Sequence, residues 1–172
     1  MPGQPPSVAA SDKQVTEPVL EDGIEIDAPI DRVWALVKDV RRMPDWSPQV
    51  RSTRLRSGYL EIASGAQFTS LNSEAGLDWK THGEIVRCTA ERELAFRIEE
   101  NWVIWSFLLE RTESGGTRLT QRRETPDGIS PLSKKLTETY LGGYEAFTAS
   151  MRAGMRQTLE NIKAEAERGG SI

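Results

Sequence analysis

The chain is poor in the groups that most enzymes use for chemistry. Among 172 residues there is one cysteine, Cys88, and one histidine, His82. A single cysteine excludes an internal disulfide and fits a reducing compartment. A single histidine excludes a zinc cluster built on histidine and cysteine and a conventional nucleophilic triad. No glycine-rich phosphate loop is present: Gly115-Gly116 falls where a hairpin turns and Gly142-Gly143 where a helix breaks. No apolar run approaches the roughly 20 residues that span a bilayer, and the start "MPGQPPSVAASDKQ" has neither a basic nor an apolar leader region. Excess positive charge is missing too, since the formal net charge is −4, which argues against nucleic acid as a partner. These absences place the chain in the cytoplasm, without membrane insertion, cofactor or metal.

What remains is a charged-residue share of 28% and a hydrophobic share of 37% in a length suited to one domain. Residues 1–17 are rich in Pro, Ser and Ala and too poor in large apolar side chains to order, so they read as a loose tail. The domain is expected over 18–168. "VLEDGIEID" opens it with strand alternation of Ile24 and Ile26. In "DAPIDRVWALVKDV", Pro29 suits the first helical turn, Asp31 the positive helix start, and Ile30, Val33, Trp34 and Val37 recur at helical spacing. Pro44 and Pro48 restrict "RRMPDWSP" to a short helical turn and a loop.

Period-two patterning then predicts strands near 49–57, 66–74, 77–87, 92–100, 102–112 and 117–125, joined as antiparallel hairpins. Between the last two, parity demands an odd loop, met by three residues with a left-handed glycine. Ser130 and Pro131 can start a short helix carrying Leu132, Leu136 and Tyr140. A long amphipathic helix follows over 144–167, with Tyr144, Phe147, Met151, Met155, Leu159 and Ile162 as its apolar stripe. A twisted antiparallel sheet of seven strands with this helix on its concave face is the way to bury that stripe.

In order, "IEIDAPIDRVWALVKDVRRMPDWSP", "WKTHGEIV", "LAFRI", "WSFLLE", "GGTRLTQ" and "GMRQTLENIKAEAE" resemble the polyketide cyclase/dehydrase-like branch of the START/Bet v 1-like (SRPBCC) superfamily. The resemblance covers about residues 20–168. It implies an α+β helix-grip fold, a curved sheet gripping the terminal helix around a hydrophobic cavity. It also implies binding of lipids, sterols, plant metabolites or polyketides, with aromatase/cyclase activity in a minority of members. The aromatase members carry an arginine in the region matching "NSEAGLDW", and this sequence has none there.

The parity rule names the side chains that would line such a cavity. Phe68, Asn72, Trp79, Thr81, Phe96, Trp105, Phe107, Gln121 and Arg123 fall on one face, with Gly83 leaving room among them. Tyr144 and Met151 face them from the helix. Aromatic walls with a few convergent polar groups suit a small-molecule site. Taken singly, Asn72, Gln121 and Arg123 also fit the sheet margin, where arginine sends its head to water. Trp34 reads as core, Trp46 as a loop anchor and Trp102 as a residue of the opposite parity near a loop. His82 reads as a surface residue, Cys88 as a small apolar one, and Lys134-Lys135 as solvated charge or an attractor of an acidic head group. The segment 126–143, rich in Gly and Pro, is the candidate gate. Three functions fit: binding of a hydrophobic or amphipathic small molecule, a polyketide aromatase/cyclase using the same pocket, and a protein-interaction module with a vestigial cavity.

Overall fold

A computed structural model of the protein describes residues 19–140 and 143–169, apart from the side chains of Tyr140 and Tyr144. The tail expected over residues 1–17 lies outside the described residues. Seven strands form one antiparallel sheet: β1 (Val19–Ile26), β2 (Val50–Leu55), β3 (Gln67–Glu74), β4 (Leu77–Thr89), β5 (Glu93–Ile98), β6 (Ile104–Arg111) and β7 (Thr117–Glu124). Their order across the sheet is β1-β7-β6-β5-β4-β3-β2. Each strand from β2 to β7 thus pairs with its chain neighbour, as hairpin connections require, and β1 closes on the last strand.

Between β1 and β2 lie α1 (Ile30–Val37), a 3-10 turn at Val40–Arg42 and the one-turn α2 (Met43–Trp46). Pro29 is not inside the first turn but caps it, its carbonyl accepting the Arg32 and Val33 amides at 3.1 and 3.3 Å. Its fixed φ of −67° with an extended ψ delivers the chain from β1 into the helix. After β7 come α3 (Pro131–Tyr140) and α4 (Gly143–Arg168). Ser130 caps α3 as its sequence position suggested, accepting the Ser133 amide at 3.2 Å while donating to the Glu100 carbonyl at 2.6 Å.

Two register shifts bend the sheet, between Val50 and Ser52 in β2 and between Ile85 and Arg87 in β4. At the β6–β7 turn Arg111 pairs with Thr117, and Thr112 donates to the Gly116 carbonyl at 3.1 Å. That leaves Glu113, Ser114 and Gly115 as the turn, with Gly115 at φ +85°. The odd, glycine-bearing loop that parity demands is the one present.

The core gathers Ile26, Val33, Val37, Phe68, Ile85, Leu94, Phe96, Phe107, Leu119, Leu159 and Ile162 between sheet and helices. Polar ties pin the second half of α4 to β1 and its neighbours. Lys163 Nζ donates to the Glu25 carbonyl at 2.8 Å, Glu167 accepts the Asp27 amide at 2.9 Å, and Arg156 pairs with Asp22. The hydrogen-bonded Lys163 ammonium, aided by the Asp27 amide, holds the Glu167 carboxyl below its ordinary value. A carboxylate with a depressed folded value stabilises the fold fully above its unfolded range, and that contribution fades as pH falls through the folded value. The melting-temperature gap between the wild type and Glu167→Gln is therefore expected at pH 7 and to close in acid. A gap of the same size at pH 2 would refute this anchor.

Candidate functional site

Alternation along each strand sets one row of side chains on the concave face, and the register makes neighbouring rows continuous. Asn72 lies opposite Trp79 and Ser70 opposite Thr81. Phe96 stands opposite Trp105, Trp105 opposite Arg123, and Phe107 opposite Gln121. Over them α4 lies with Phe147, Met151 and Met155 turned inward, and between sheet and helix is a cavity of about 380 Å³. Ten of the eleven residues that the sequence nominated form its wall: Phe68, Asn72, Trp79, Thr81, Phe96, Trp105, Phe107, Gln121, Arg123 and Met151. The side chain of the eleventh, Tyr144, lies outside the described residues.

The polar residues of this wall are enclosed, not marginal: Asn72, Gln121 and Arg123 are 9%, 9% and 6% exposed. Asn72 Nδ2 donates to Thr81 Oγ1 at 3.0 Å, which fixes its amide and turns its carbonyl oxygen elsewhere. Ser70 and Thr53 share a hydroxyl–hydroxyl bond of 2.8 Å. The Arg123 guanidinium carbon stands 6.0 Å from the centre of the Trp105 ring, at the outer limit of a cation–π contact. The Phe68 and Phe96 rings meet edge to face at 5.3 Å and 80°. Apolar surface thus dominates, with a few hydrogen-bonding groups at fixed places.

Gly83 does not leave the room the sequence suggested. A Cβ built there would fall 2.3 Å from Phe68 Cζ, because the Phe68 ring already occupies that volume. Gly154 on α4 does leave room, since its nearest neighbour would be Pro48 Cγ at 3.9 Å. Sequence parity also passed over one wall of the cavity. Met43, Trp46, Pro48 and Val50 close it from the α2–β2 segment, while the segment 126–143, expected as the gate, borders it with Ile129, Leu132 and Leu136. Periodicity has no purchase on a loop, and the one signal there was Trp46, held by Asn161 Nδ2 donating to its carbonyl at 2.9 Å and by Arg42 4.9 Å over its ring. Trp34 is core, and Trp102 sits in the β5–β6 turn at φ +69°. Cys88 packs half-buried against the core. Lys134 and Lys135 are both exposed, Lys134 at the cavity margin.

His82 is half-buried, not a plain surface residue. Its Nδ1 meets Glu100 Oε2 at 2.8 Å while its amide donates to Glu100 Oε1. With Glu99 these groups bring three ligand atoms within 4.8 Å of one another. Both Glu100 oxygens are already committed to His82, so the cluster reads as a tie between β4 and the β5–β6 turn. Through the Glu100 carbonyl that turn also holds Ser130 at the head of α3. Among the described residues two carboxylates border the cavity, Glu100 and Glu138, but both Glu100 oxygens are taken by His82 and Glu138 is exposed, so they do not form the paired arrangement of two-carboxylate acid–base work.

A sequence family described as polyketide cyclase / dehydrase and lipid transport matches residues 17–167. The chain belongs to that family. No curated protein matches its sequence. Among solved structures, the family fold recurs in the di-domain ARO/CYC StfQ from the steffimycin biosynthetic pathway, at a TM-score of 0.71 and 15% identity over 90% of this chain and 52% of that one. The chain therefore spans about half the length of StfQ. The Polyketide_cyc-like protein Cgl2372 from Corynebacterium glutamicum aligns with a TM-score of 0.61 and 25% identity, covering 91% of this chain and 98% of that one. Protein NE0264 from Nitrosomonas europaea gives 0.63 and 17%, covering 90% and 97%. The helix-grip architecture expected of the family is the one this chain adopts. None of its described helices is long and apolar enough to cross a membrane.

Proposed function

We propose that the cavity reversibly binds a hydrophobic or amphipathic small molecule, a lipid or a polyketide-like metabolite. The observation that carries this reading is a cavity of about 380 Å³ under α4, walled by Phe68, Phe96, Trp105, Phe107 and Met151. That volume is in the range of small-molecule sites, and such walls reward apolar surface by roughly 25 cal/mol per Å² removed from water. Asn72, Gln121 and Arg123 orient the bound molecule. The segment around α3 serves as the gate, although its residues 141 and 142 lie outside the described ones. Leu132 and Leu136 border the cavity yet remain 59% and 40% exposed, so displacing α3 sacrifices little apolar burial.

Native mass spectrometry of the purified protein, with extraction of any bound molecule, tests the proposal. A co-purifying apolar compound supports it. An empty protein that takes up none of a panel of fatty acids, sterols and aromatic polyketides overturns it. Turnover of a poly-β-ketone, lost on changing Arg123, would instead make the protein a cyclase. Trp105→Ala removes a large ring from the wall, and uptake is expected to fall about 10- to 100-fold with an unchanged circular dichroism spectrum. Undiminished uptake in that variant would place the binding site elsewhere.

A further inference from the structure

Two buried side-chain oxygens have no hydrogen-bond partner among the described residues, Ser106 Oγ and Gln121 Oε1. Ser106 has the outward parity, opposite Ala95 and Arg122, and does not border the cavity. Gln121 does border it, more than nine-tenths buried, between Phe107 on one neighbouring strand and Asp22 on the other. Asp22 cannot serve it, because its carboxylate, which accepts from Arg156 and the Gly23 amide at Oδ1, is an acceptor like the amide oxygen itself. A buried amide oxygen without a partner is costly, and glutamine is not needed where leucine would pack. Its presence points to a group that arrives with the ligand.

The chemistry of that group follows from what surrounds it. An amide offers one acceptor and one donating NH₂, so its best small partner both donates and accepts. A carboxylate would need several donors or a cation of its own to leave water. Of the charged groups around the cavity, Asp22 and Arg156 pair with one another, Arg123 keeps an interaction within the protein, and Lys80 and Lys134 are exposed to water. A bare hydrocarbon would enclose the amide and leave it unpaired. We propose that the natural ligand carries a neutral hydroxyl, alcoholic or phenolic, that docks on Gln121, with its apolar body along Phe107 and Trp105. This rests on the cavity-binding reading above and specifies the functional group that the cavity selects.

Equilibrium dialysis with 2-naphthol, naphthalene and 2-naphthoate at pH 7 tests it, since the three share a ring system and differ in one group. The wild type is expected to hold 2-naphthol about tenfold more tightly than either of the others, because a site built around a polar partner rejects analogues lacking it. In Gln121→Leu the preference for 2-naphthol over naphthalene is expected to shrink to less than twofold, with naphthalene retained. Gln121→Met, of equal chain length, provides the same comparison if the leucine variant fails to fold. Equal binding of all three, tightest binding of 2-naphthoate, or an unchanged preference in the Gln121 variants overturns the hydroxyl assignment and leaves cavity binding intact. Failure of the wild type to bind any of the three rejects the cavity-binding reading itself.

Discussion

Truncating Leu159 to alanine is expected to destabilise the protein by about 2–5 kcal/mol. Leu159 is 0% exposed and lies in the cluster that includes Val33, Val37, Leu119 and Ile162, where α4 meets the sheet and α1. Removing it deletes apolar contact and leaves a void that backbone held from several sides cannot collapse. For a chain of this size the loss corresponds to a melting temperature lower by roughly 4–20 °C. Urea denaturation measures it directly, with a shifted midpoint and an unchanged slope. Glu160→Ala, one position on and exposed, is the control and should stay within about 0.5 kcal/mol. A Leu159→Ala loss as small as that of the control would mean that the helix is not held by this core.

Gly83→Ala is expected to cost about 1–3 kcal/mol by overpacking and to shrink the cavity at the same time. The new methyl would fall 2.3 to 2.8 Å from three carbons of the Phe68 ring. The three nearest atoms all belong to that ring, so the ring has to move, and its edge-to-face neighbour Phe96 blocks one direction. The open direction is the cavity that Phe68 borders. The stability loss should therefore accompany reduced uptake of bulky ligands, and both should recover in the double variant Gly83→Ala/Phe68→Leu. Normal stability with an unmoved Phe68 ring in a crystal structure of the single variant would contradict this packing.

Alternation made the strands readable, because antiparallel hairpins hand the same parity from one strand to the next. Phe68, Asn72, Trp79, Thr81, Trp105, Gln121 and Arg123 could be brought to one wall without knowing where any strand ended. The rule breaks at the bulges. Ile85 faces inward opposite Phe96, but past the register shift Arg87 pairs with Ala95 and Cys88 with Leu94, so inward positions change from odd to even. Nothing in "EIVRCT" announces that switch. Gly83 was misread for a related reason: a missing side chain looks like empty space until the residue across the strand pair, Phe68, is seen to fill it. The wall from Met43 to Val50 was out of reach because its placement depends on α4 gripping Trp46 from 115 residues away. The His82–Glu100 tie was hidden by a turn that returns Glu100 to β4.

The unequal anchoring of α4 has a mechanical consequence. Beyond Thr158 its inward side chains are sealed and its ties to β1 are polar and numerous, whereas before Met151 its side chains are mostly half-exposed or exposed. Such a beam is clamped at its root and more lightly held toward its tip, where Ser150 donates to Glu74, a cantilever with Gly154 near the point of support. Deflecting the tip would widen the mouth of the cavity while the clamp, and with it the global free energy of folding, stays intact.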